Sequence, residues 1–458
     1  MPEKQKKQKK KTIRSRAISP TRIIAITFAA IILVGTLLLM LPVASRSGQS
    51  NGFRTALFTA TSATCVTGLV LGDTWSLWSG FGQTVIITMI EIGGLGFMSA
   101  AAIVLFLFRR KVGLRQRMIM AQALSLNEME GVVRLQKWVL LGSLTVQGIG
   151  AAILFARFLP DFGFRTALKW GVFHAISAFC NAGFDIFGAI EPGKGLILFN
   201  DDPVVCLTLM ALVIISGLGF FVWEEVVRIR SFKKLSVYTK LVLLTTGALL
   251  LLGTVGISLL EWDNPETIGN MPLWQKMLNS AFQSVTLRTA GFASIDQGAL
   301  TDGGKVISIL LMFVGGSSGS TAGGIKTVTV IVLFLFIWTR LRGRKSVNVF
   351  KHRIADEKIF DAMAIVFIVT GLAAAGALVV CTTSGISFLN ALYETASAIA
   401  TVGLSAAGTA NLNAVSQYLL ILFMYFGRVG VLTISLGFLL GNRAEDRFRY
   451  ADTNILIG

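Results

Sequence analysis

Four short segments of the chain resemble one another, and in each of them a glycine is followed by a large apolar residue. The segments are Ser62–Leu69, Ser177–Phe184, Val285–Phe292 and Ser397–Leu404. Their glycines lie 115, 108 and 112 residues apart. A unit that recurs at a nearly fixed period determines the fold of the whole chain. The sequence therefore predicts four copies of one structural unit.

Apolar runs long enough to cross a bilayer separate these segments. Hydrophobic residues make up 53% of the chain and charged residues only 14%, whereas a soluble domain carries about a quarter charged residues. A crossing takes about 20 mostly apolar residues. The candidate spans are 22–42, 82–108, 136–158, 203–226, 237–260, 304–339, 360–382 and 416–440. With eight spans, both ends of the chain lie on the same side of the membrane.

Between each odd-numbered span and the next one lies a shorter stretch of helical pattern that runs into a repeated glycine. These stretches are 53–66, 165–181, 274–288 and 387–401. They are too short to cross, and a helix that enters and turns back requires protein or water over its exposed backbone. We therefore predict an all-α polytopic membrane protein, in which four tandem span–pore-loop–span repeats are arranged with pseudo-fourfold symmetry around one ion pore.

The predicted boundaries follow from this period. A basic N-terminal tail covers 1–21, and a C-terminal tail covers 443–458. The four repeats between them are 22–117, 118–235, 236–345 and 346–442.

The net charge of +18 is concentrated in four stretches. Residues 1–16 contribute +7, and residues 109–117, 228–240 and 340–358 contribute +5 each. In the predicted topology all four lie on one side, as the positive-inside rule requires. We therefore expect a multi-pass protein of the cell membrane whose N- and C-termini are cytoplasmic. Nucleic-acid binding is the alternative for a basic chain, but these stretches carry no aromatic stacking pattern.

Glycine adopts backbone angles that other residues avoid, and this freedom lets consecutive carbonyl groups point at one axis. Rings of carbonyl oxygens can replace the hydration shell of a cation. The negative ends of four short helices would also favour a cation at the centre. The alternative is that the glycines only allow close helix packing. Their recurrence at four equivalent places, each after a short helix, favours the pore.

The sixth span differs from the others because small residues interrupt it. At 1.5 Å per residue, 304–339 would form a helix of about 54 Å. Its middle consists of ten small residues: Gly315, Gly316, Ser317, Ser318, Gly319, Ser320, Thr321, Ala322, Gly323 and Gly324. Such a run does not sustain a regular helix. We predict two helices joined by a loop at membrane depth. A phosphate-binding loop is the alternative, but the fit is poor because no strand precedes it and its glycine and lysine are not adjacent.

Two charged residues interrupt predicted spans, Glu91 in the second and Arg428 in the eighth. A charge at this depth is a candidate functional residue. We expect Arg428 to hold the small-residue loop through carbonyl and hydroxyl groups. A Glu91–Arg428 ion pair is a further prediction. Arg288 follows the third short helix, and we expect it to face away from the pore and tie its loop down, since it would repel a cation there.

The glycine motifs, the run 315–324 and the Gly-Arg-Val-Gly sequence at 427–430 resemble the Trk/Ktr/HKT superfamily of potassium transporters, most closely the bacterial Ktr-type membrane subunit. The resemblance covers nearly the whole chain. It implies that the filter glycine of each repeat carries selectivity, and glycine at all four positions favours potassium. The implied filter residues are Val66, Thr67, Gly68, Asn181, Ala182, Gly183, Thr289, Ala290, Gly291, Thr401, Val402 and Gly403.

The resemblance also implies that 315–324 obstructs the pore beneath the filter and acts with Arg428 as the gate. It implies a homodimer on a KtrA-like ring of cytoplasmic nucleotide-binding subunits. We expect the apolar end of the C-terminal tail, 454–458, to pack at the dimer interface. The chain itself has no nucleotide motif and no expected cofactor, so a nucleotide would be bound by the partner, and potassium is the only expected metal.

Two other functions compete with potassium uptake. A sodium-translocating protein of the same fold is the first, and the four glycines argue against it. A membrane-embedded enzyme is the second, and it would need acids, histidines or metal ligands clustered near the membrane face. The spans contain Glu91, Arg428 and few other candidates, so we do not expect an enzyme.

Overall fold

A computed structural model describes residues 20–96 and 132–430. Within this part the regular structure is almost entirely helical. The α-helices are Pro20–Leu39, Phe53–Cys65, Thr74–Leu77, Gly80–Leu95, Val132–Phe179, Pro203–Leu218, Phe220–Ile229, Val237–Glu261, Leu273–Thr286, Asp302–Phe313, Thr327–Leu341, Asp356–Ser384, Phe388–Ile399 and Ala414–Val429. Single 3-10 turns occur at Pro42–Ala44, Phe187–Ala189, Gly195–Phe199, Phe232–Lys234 and Thr409–Asn411.

Four of the described helices are long and apolar enough to cross a membrane. They are Arg22–Leu39, Val133–Phe179, Val237–Glu261 and Asp356–Ser384. Each begins one repeat, and its outer face carries large exposed hydrophobic side chains such as Leu37, Leu251 and Phe367. Exposed apolar side chains along a helix of this length are suited to contact with lipid. The second and eighth predicted spans are described only in part, as Gly80–Leu95 and Ala414–Val429.

The four predicted short helices, which we call the pore helices, are present. Three are separate: Phe53–Cys65, Leu273–Thr286 and Phe388–Ile399. The second forms the final part of Val132–Phe179, which breaks at Gly163 with φ 72° and ψ 168°. The three separate pore helices pack against the spans that precede them, and their C-terminal halves are buried. Burial of these short helices inside the bundle satisfies the condition for helices that do not cross.

The sixth span is broken as predicted. Helix Asp302–Phe313 ends before the small-residue run, and helix Thr327–Leu341 begins after it. Between them the backbone returns on itself, because Gly315 N–H donates to Ile325 O at 3.0 Å and Ile325 N–H donates to Phe313 O at 3.1 Å. Residues 315–324 are called the intramembrane loop below.

The fourth span differs from the prediction of one continuous helix over 203–226. Helices Pro203–Leu218 and Phe220–Ile229 meet at 92°. Gly219 lies between them with φ 92°, a conformation that strongly favours glycine. The bend exposes Phe220 N–H, which donates to Gly319 O of the intramembrane loop at 2.9 Å. The span therefore bends where it meets that loop.

A small β-hairpin departs from the all-α prediction. Strands Asn348–Val349 and His352–Arg353 pair antiparallel, with Asn348 opposite Arg353. Phe350 and Lys351 both have positive φ values, 47° and 66°, as a two-residue hairpin turn requires. The hairpin lies in the basic connection between the third and fourth repeats, away from the glycine motifs.

Candidate functional site

One to three residues after the end of each pore helix lies a residue in the left-handed backbone conformation. Val66, Asn181, Thr289 and Thr401 have φ values of 57°, 59°, 66° and 53°. Non-glycine residues adopt this conformation rarely, so its recurrence at four equivalent positions is a property of the repeat. The left-handed residue turns the chain sharply out of the helix. In each repeat, the left-handed residue, the residue after it and the filter glycine together are called the filter loop.

Backbone and hydroxyl contacts hold the filter loops against their pore helices. Thr67, Ala182 and Val402 each donate an N–H to a serine carbonyl five residues earlier at 2.8 Å. The Ser62 hydroxyl accepts from Gly68 N–H at 3.0 Å, and the Ser397 hydroxyl accepts from Gly403 N–H at 3.1 Å. These contacts fix the backbone on which a carbonyl ring would depend.

In the second and third repeats the hydroxyl acts as a donor instead. Ser177 donates to Phe184 O, and Thr286 donates to Phe292 O, each at 2.7 Å. Thr286 is offset by one position, because alignment on the glycines pairs Val285 with Ser62. The four loops are therefore similar without being identical.

The four filter glycines form a closed ring. A Cβ atom added to Gly68, Gly183, Gly291 or Gly403 would lie less than 3.0 Å from a backbone carbonyl oxygen of the following loop. Those oxygens belong, in order, to Ala182, Ala290, Val402 and Thr67. The order runs from the first repeat to the fourth and returns to the first. The structure thus brings all twelve predicted filter residues around one axis and leaves no room for a side chain at the glycines.

A cavity of about 410 Å³ lies beside this ring, and we call it the vestibule. All four filter glycines line it, together with the segments that follow each filter loop. Three carboxylates, Asp73, Asp185 and Asp296, and one amine, Lys194, contribute to its wall. Lys194 pairs with Glu191 at 2.8 Å, so the wall keeps an excess of negative groups. Clefts of one charge sign concentrate counter-ions, here cations.

The intramembrane loop packs against the helix side of the filter. Thr321 donates its hydroxyl to Phe179 O, at the end of the second pore helix, at 3.1 Å. A Cβ on Gly323 would collide with Thr401, which begins the fourth filter loop. The small residues of this loop therefore allow it to approach the filter closely, in addition to breaking the helix.

Residues outside the loop also hold it, and two of these contacts have no signal in the sequence. Tyr238 donates its hydroxyl to Ser318 O at 3.1 Å, and Phe220 N–H donates to Gly319 O. A lone tyrosine at the start of an apolar span carries no local signal for such a contact. Ser317 N–H donates to Gly217 O at 3.0 Å, which adds a second contact with the bent fourth span.

Arg288 anchors the third filter loop to the start of the intramembrane loop. Its side chain is 7% exposed, and its Nη2 donates to Gly315 O at 3.1 Å. The Thr327 hydroxyl donates to the same oxygen at 3.2 Å. The predicted anchoring role of Arg288 agrees with these contacts.

Arg428 joins the intramembrane loop to the second span. Its contact with the loop agrees with the prediction from the sequence. Nη1 donates to Thr321 O at 2.6 Å, and Nη2 donates to Gly93 O at 2.6 Å and Gly94 O at 3.0 Å. One guanidinium thus binds three carbonyl oxygens from two repeats. Its rigid fork of donors suits such a role better than a lysine would.

The predicted Glu91–Arg428 ion pair is wrong. The Glu91 carboxylate accepts from Gln147 Nε2 at 3.1 and 3.2 Å and from Cys180 Sγ at 3.2 Å. The two charges point to different neighbours, because Glu91 turns towards the second repeat while Arg428 turns towards backbone carbonyls.

Comparison with known proteins gives one consistent result. Residues 2–445 match the TrkH family, described as cation transport protein. The chain is 37% identical to the potassium/sodium uptake protein NtpJ of Enterococcus hirae, over 98% of this chain and 99% of that protein. It is 38% identical to the Ktr system potassium uptake protein B of Bacillus subtilis, over 98% and 99%.

The fold also resembles a solved structure. The crystal structure of the potassium transporter TrkH from Vibrio parahaemolyticus superposes with a TM-score of 0.71 at 18% identity, and covers 94% of this chain and 86% of that one. At this identity the likeness concerns the fold.

Proposed function

The chain belongs to the TrkH family of cation transport proteins, and on this premise we propose that it is the potassium-conducting membrane subunit of a potassium uptake system. The closed ring of four filter glycines carries the proposal, since each glycine faces a carbonyl oxygen of its neighbour. A ring of fixed carbonyl dipoles can replace the water that a potassium ion loses. Relatives named as potassium uptake proteins over nearly the whole chain support it. The family consists of transporters, and the chain is not an enzyme.

Substitution of one filter glycine tests this function. We expect Gly291→Ser to lower the preference for potassium over sodium, because the added atoms would lie against Val402 O and Gly183. Potassium and sodium uptake would be measured in transport-deficient cells that express each variant. Gly371→Ser is the matched control, since nothing lies within 4 Å of that position. An unchanged ion preference in Gly291→Ser would contradict the filter assignment.

Sodium transport by the same pore is the second candidate function. One relative is named as a potassium/sodium uptake protein. The four glycines favour potassium, and the same uptake measurements with wild type distinguish the two. Sodium uptake that exceeds potassium uptake would select the alternative, and stimulation of potassium uptake by sodium would reveal sodium-dependent transport.

We further propose that the intramembrane loop is the gate. It lies against the filter through Thr321 and Gly323, and it is held by Arg288, Arg428 and Tyr238. The three side chains that hold the loop donate hydrogen bonds to its carbonyl oxygens, and such bonds can be exchanged without disturbing an apolar core. Opening would require the loop to leave this position.

We propose that the face with the basic connections lies in the cytoplasm and that both termini lie on that side of the cell membrane. The same connections offer a docking surface for an acidic region of a nucleotide-binding regulatory subunit. Replacing Arg342, Arg344 and Lys345 by glutamine should weaken co-purification of a KtrA-like subunit. Undiminished co-purification would contradict docking at this stretch.

A homodimer completes the proposal. The predicted dimer segment, 454–458, lies outside the described residues. Deletion of these five residues should weaken dimers measured by size-exclusion chromatography with light scattering in detergent. Dimers of undiminished stability would refute a role for this segment.

A further inference from the structure

In three repeats, a buried polar side chain from the pore helix holds the segment that follows the filter. His174 lies nine residues before Gly183, and Glu394 lies nine before Gly403. Gln283 lies eight before Gly291, which matches the one-residue offset of Thr286. Each of the three side chains is completely buried. Each contacts the segment between its own filter glycine and the vestibule wall.

In the second and third repeats this contact is made by neutral groups. His174 Nδ1 lies 2.8 Å from Trp170 O, so it carries the proton, and Nε2 accepts from Ile186 N–H at 3.2 Å. Gln283 and Gln297 pair through their amides at 2.6 and 3.2 Å. A neutral side chain is therefore sufficient to position a segment after the filter.

Glu394 in the fourth repeat differs because its contacts come from donors. Oε1 accepts from Ser405 Oγ at 2.6 Å, Ala406 N–H at 2.9 Å and Ala407 N–H at 3.0 Å. Oε2 accepts from the Thr409 hydroxyl at 3.0 Å. The Ser405 hydroxyl also accepts from Thr409 N–H at 3.0 Å, which directs its own proton at the carboxylate. An ionised carboxylate, which only accepts, fits this set of donors.

Among the described residues, no basic side chain forms an ion pair with this carboxylate. A buried charge without a counter-charge is costly, and neutral groups do the same positioning in two other repeats. The charge therefore needs a reason beyond positioning. Ser405 and Thr409, which bind the carboxylate, line the vestibule together with Gly403.

We propose that Glu394 is a positioning residue that also supplies the fixed negative charge for a cation site at the vestibule end of the filter. The permeating monovalent cation is its counter-charge, and the segment 405–409 transmits the position of the carboxylate to the filter. This inference rests on the proposed function. It makes the fourth repeat the one that sets the affinity for the incoming ion, although the four filter loops are similar.

The test compares the Michaelis constant and the maximal rate of potassium uptake in transport-deficient cells. Glu394→Gln removes the charge at nearly constant volume, and we expect the KM for potassium to rise about tenfold while the maximal rate changes by less than about twofold. Thr382→Val is the control, because it removes an exposed hydroxyl that donates to Leu378 O and Val379 O of its own helix and keeps the Glu394 charge. Its KM should stay within about twofold of wild type. Membrane abundance measured on the same cells confirms equal amounts of protein.

Two results would overturn the inference. They are a wild-type KM in Glu394→Gln, whatever its maximal rate, and an equal rise of KM in Thr382→Val. If Glu394→Gln does not reach the membrane, Glu394→Asp decides, because it keeps the charge. A KM within about threefold of wild type supports the inference, and a tenfold rise overturns it. Failure of the wild type to take up potassium would refute the proposed function instead.

Discussion

The guanidinium of Arg428 lies 2.6 Å from the carbonyl oxygen of Thr321, and its other amine lies 2.6 Å from that of Gly93. Thr321 belongs to the intramembrane loop, whereas Gly93 belongs to the second span. Hydrogen bonds from a charged donor contribute about 1.5–3 kcal/mol each. Arg428 therefore stabilises the position of the loop beneath the filter, and its loss should favour a displaced loop.

The first prediction follows from this contact. Arg428→Ala should raise the rate of rubidium uptake into proteoliposomes that contain the chain alone, by about tenfold, which corresponds to a loss of about 1.4 kcal/mol. Arg344→Ala is the control, because Arg344 is exposed and belongs to the basic connection between the third and fourth repeats rather than to the intramembrane loop. An unchanged or lower rate for Arg428→Ala would contradict the gating role of the loop.

The second prediction concerns Tyr238, whose hydroxyl donates to Ser318 O at 3.1 Å. Tyr238→Phe removes one neutral hydrogen bond worth about 1 kcal/mol and leaves the ring in place. We expect a smaller rise in rubidium uptake than for Arg428→Ala, measured in the same proteoliposomes. Tyr418→Phe is a matched control on an exposed helix face. A lower rate for Tyr238→Phe would indicate that the contact supports the open state instead.

Sequence patterns were sufficient to locate the pore helices, the filter glycines and the break in the sixth span. Each of these depends on local properties, namely the length of an apolar run, glycine content and repetition along the chain. Helix Asp302–Phe313 ends just before the small residues, and helix Thr327–Leu341 begins just after them. The break falls there because the low helix propensity of glycine and serine acts locally.

The missed features depend on partners distant in sequence. Gly219 bends the fourth span towards Gly319, one hundred residues later. Glu91 binds Gln147 and Cys180 rather than Arg428, and the choice depends on how the second span is rotated. Alignment on the filter glycines likewise hides the equivalence of Thr286 with the serines of the other repeats. The direction of a side chain within a packed bundle depends on its neighbours in space, so local sequence patterns do not reveal it.

The third prediction concerns the hydroxyl that holds the fourth filter loop. Ser397→Ala removes the acceptor of Gly403 N–H, and an unsatisfied buried N–H costs about 1–3 kcal/mol. We expect lower thermal stability in detergent and a lower ratio of potassium to sodium uptake. Thr84→Ala removes a hydroxyl that bonds only within its own exposed helix turn, and should leave both quantities unchanged. A stable variant with wild-type selectivity would show that the hydroxyl is dispensable.

The fourth prediction concerns the pH dependence of uptake. Burial, followed by the nearby carboxylate of Asp73, raises the pKa of Asp185 to about 7 from its ordinary value of 3.8. Asp185 is then ionised above pH 7 and neutral below it. Because this residue lines the vestibule, protonation removes a negative charge from the approach to the filter. We expect the KM for potassium to be about two- to threefold higher at pH 6 than at pH 8.

Replacement of Asp185 separates its titration from that of other groups. Asp185→Asn should have a high KM at both pH values, whereas Asp296→Asn, another vestibule residue, should keep the difference between pH 6 and pH 8.

The raised pKa of Asp185 also means that the folded protein binds more protons than the unfolded chain between pH 3.8 and about 7. The stability contributed by the neutral carboxyl is therefore lost as the pH rises towards 7, and this loss should be absent in Asp185→Asn. An Asp185→Asn variant that keeps the wild-type pH dependence of KM would assign the titration to another group.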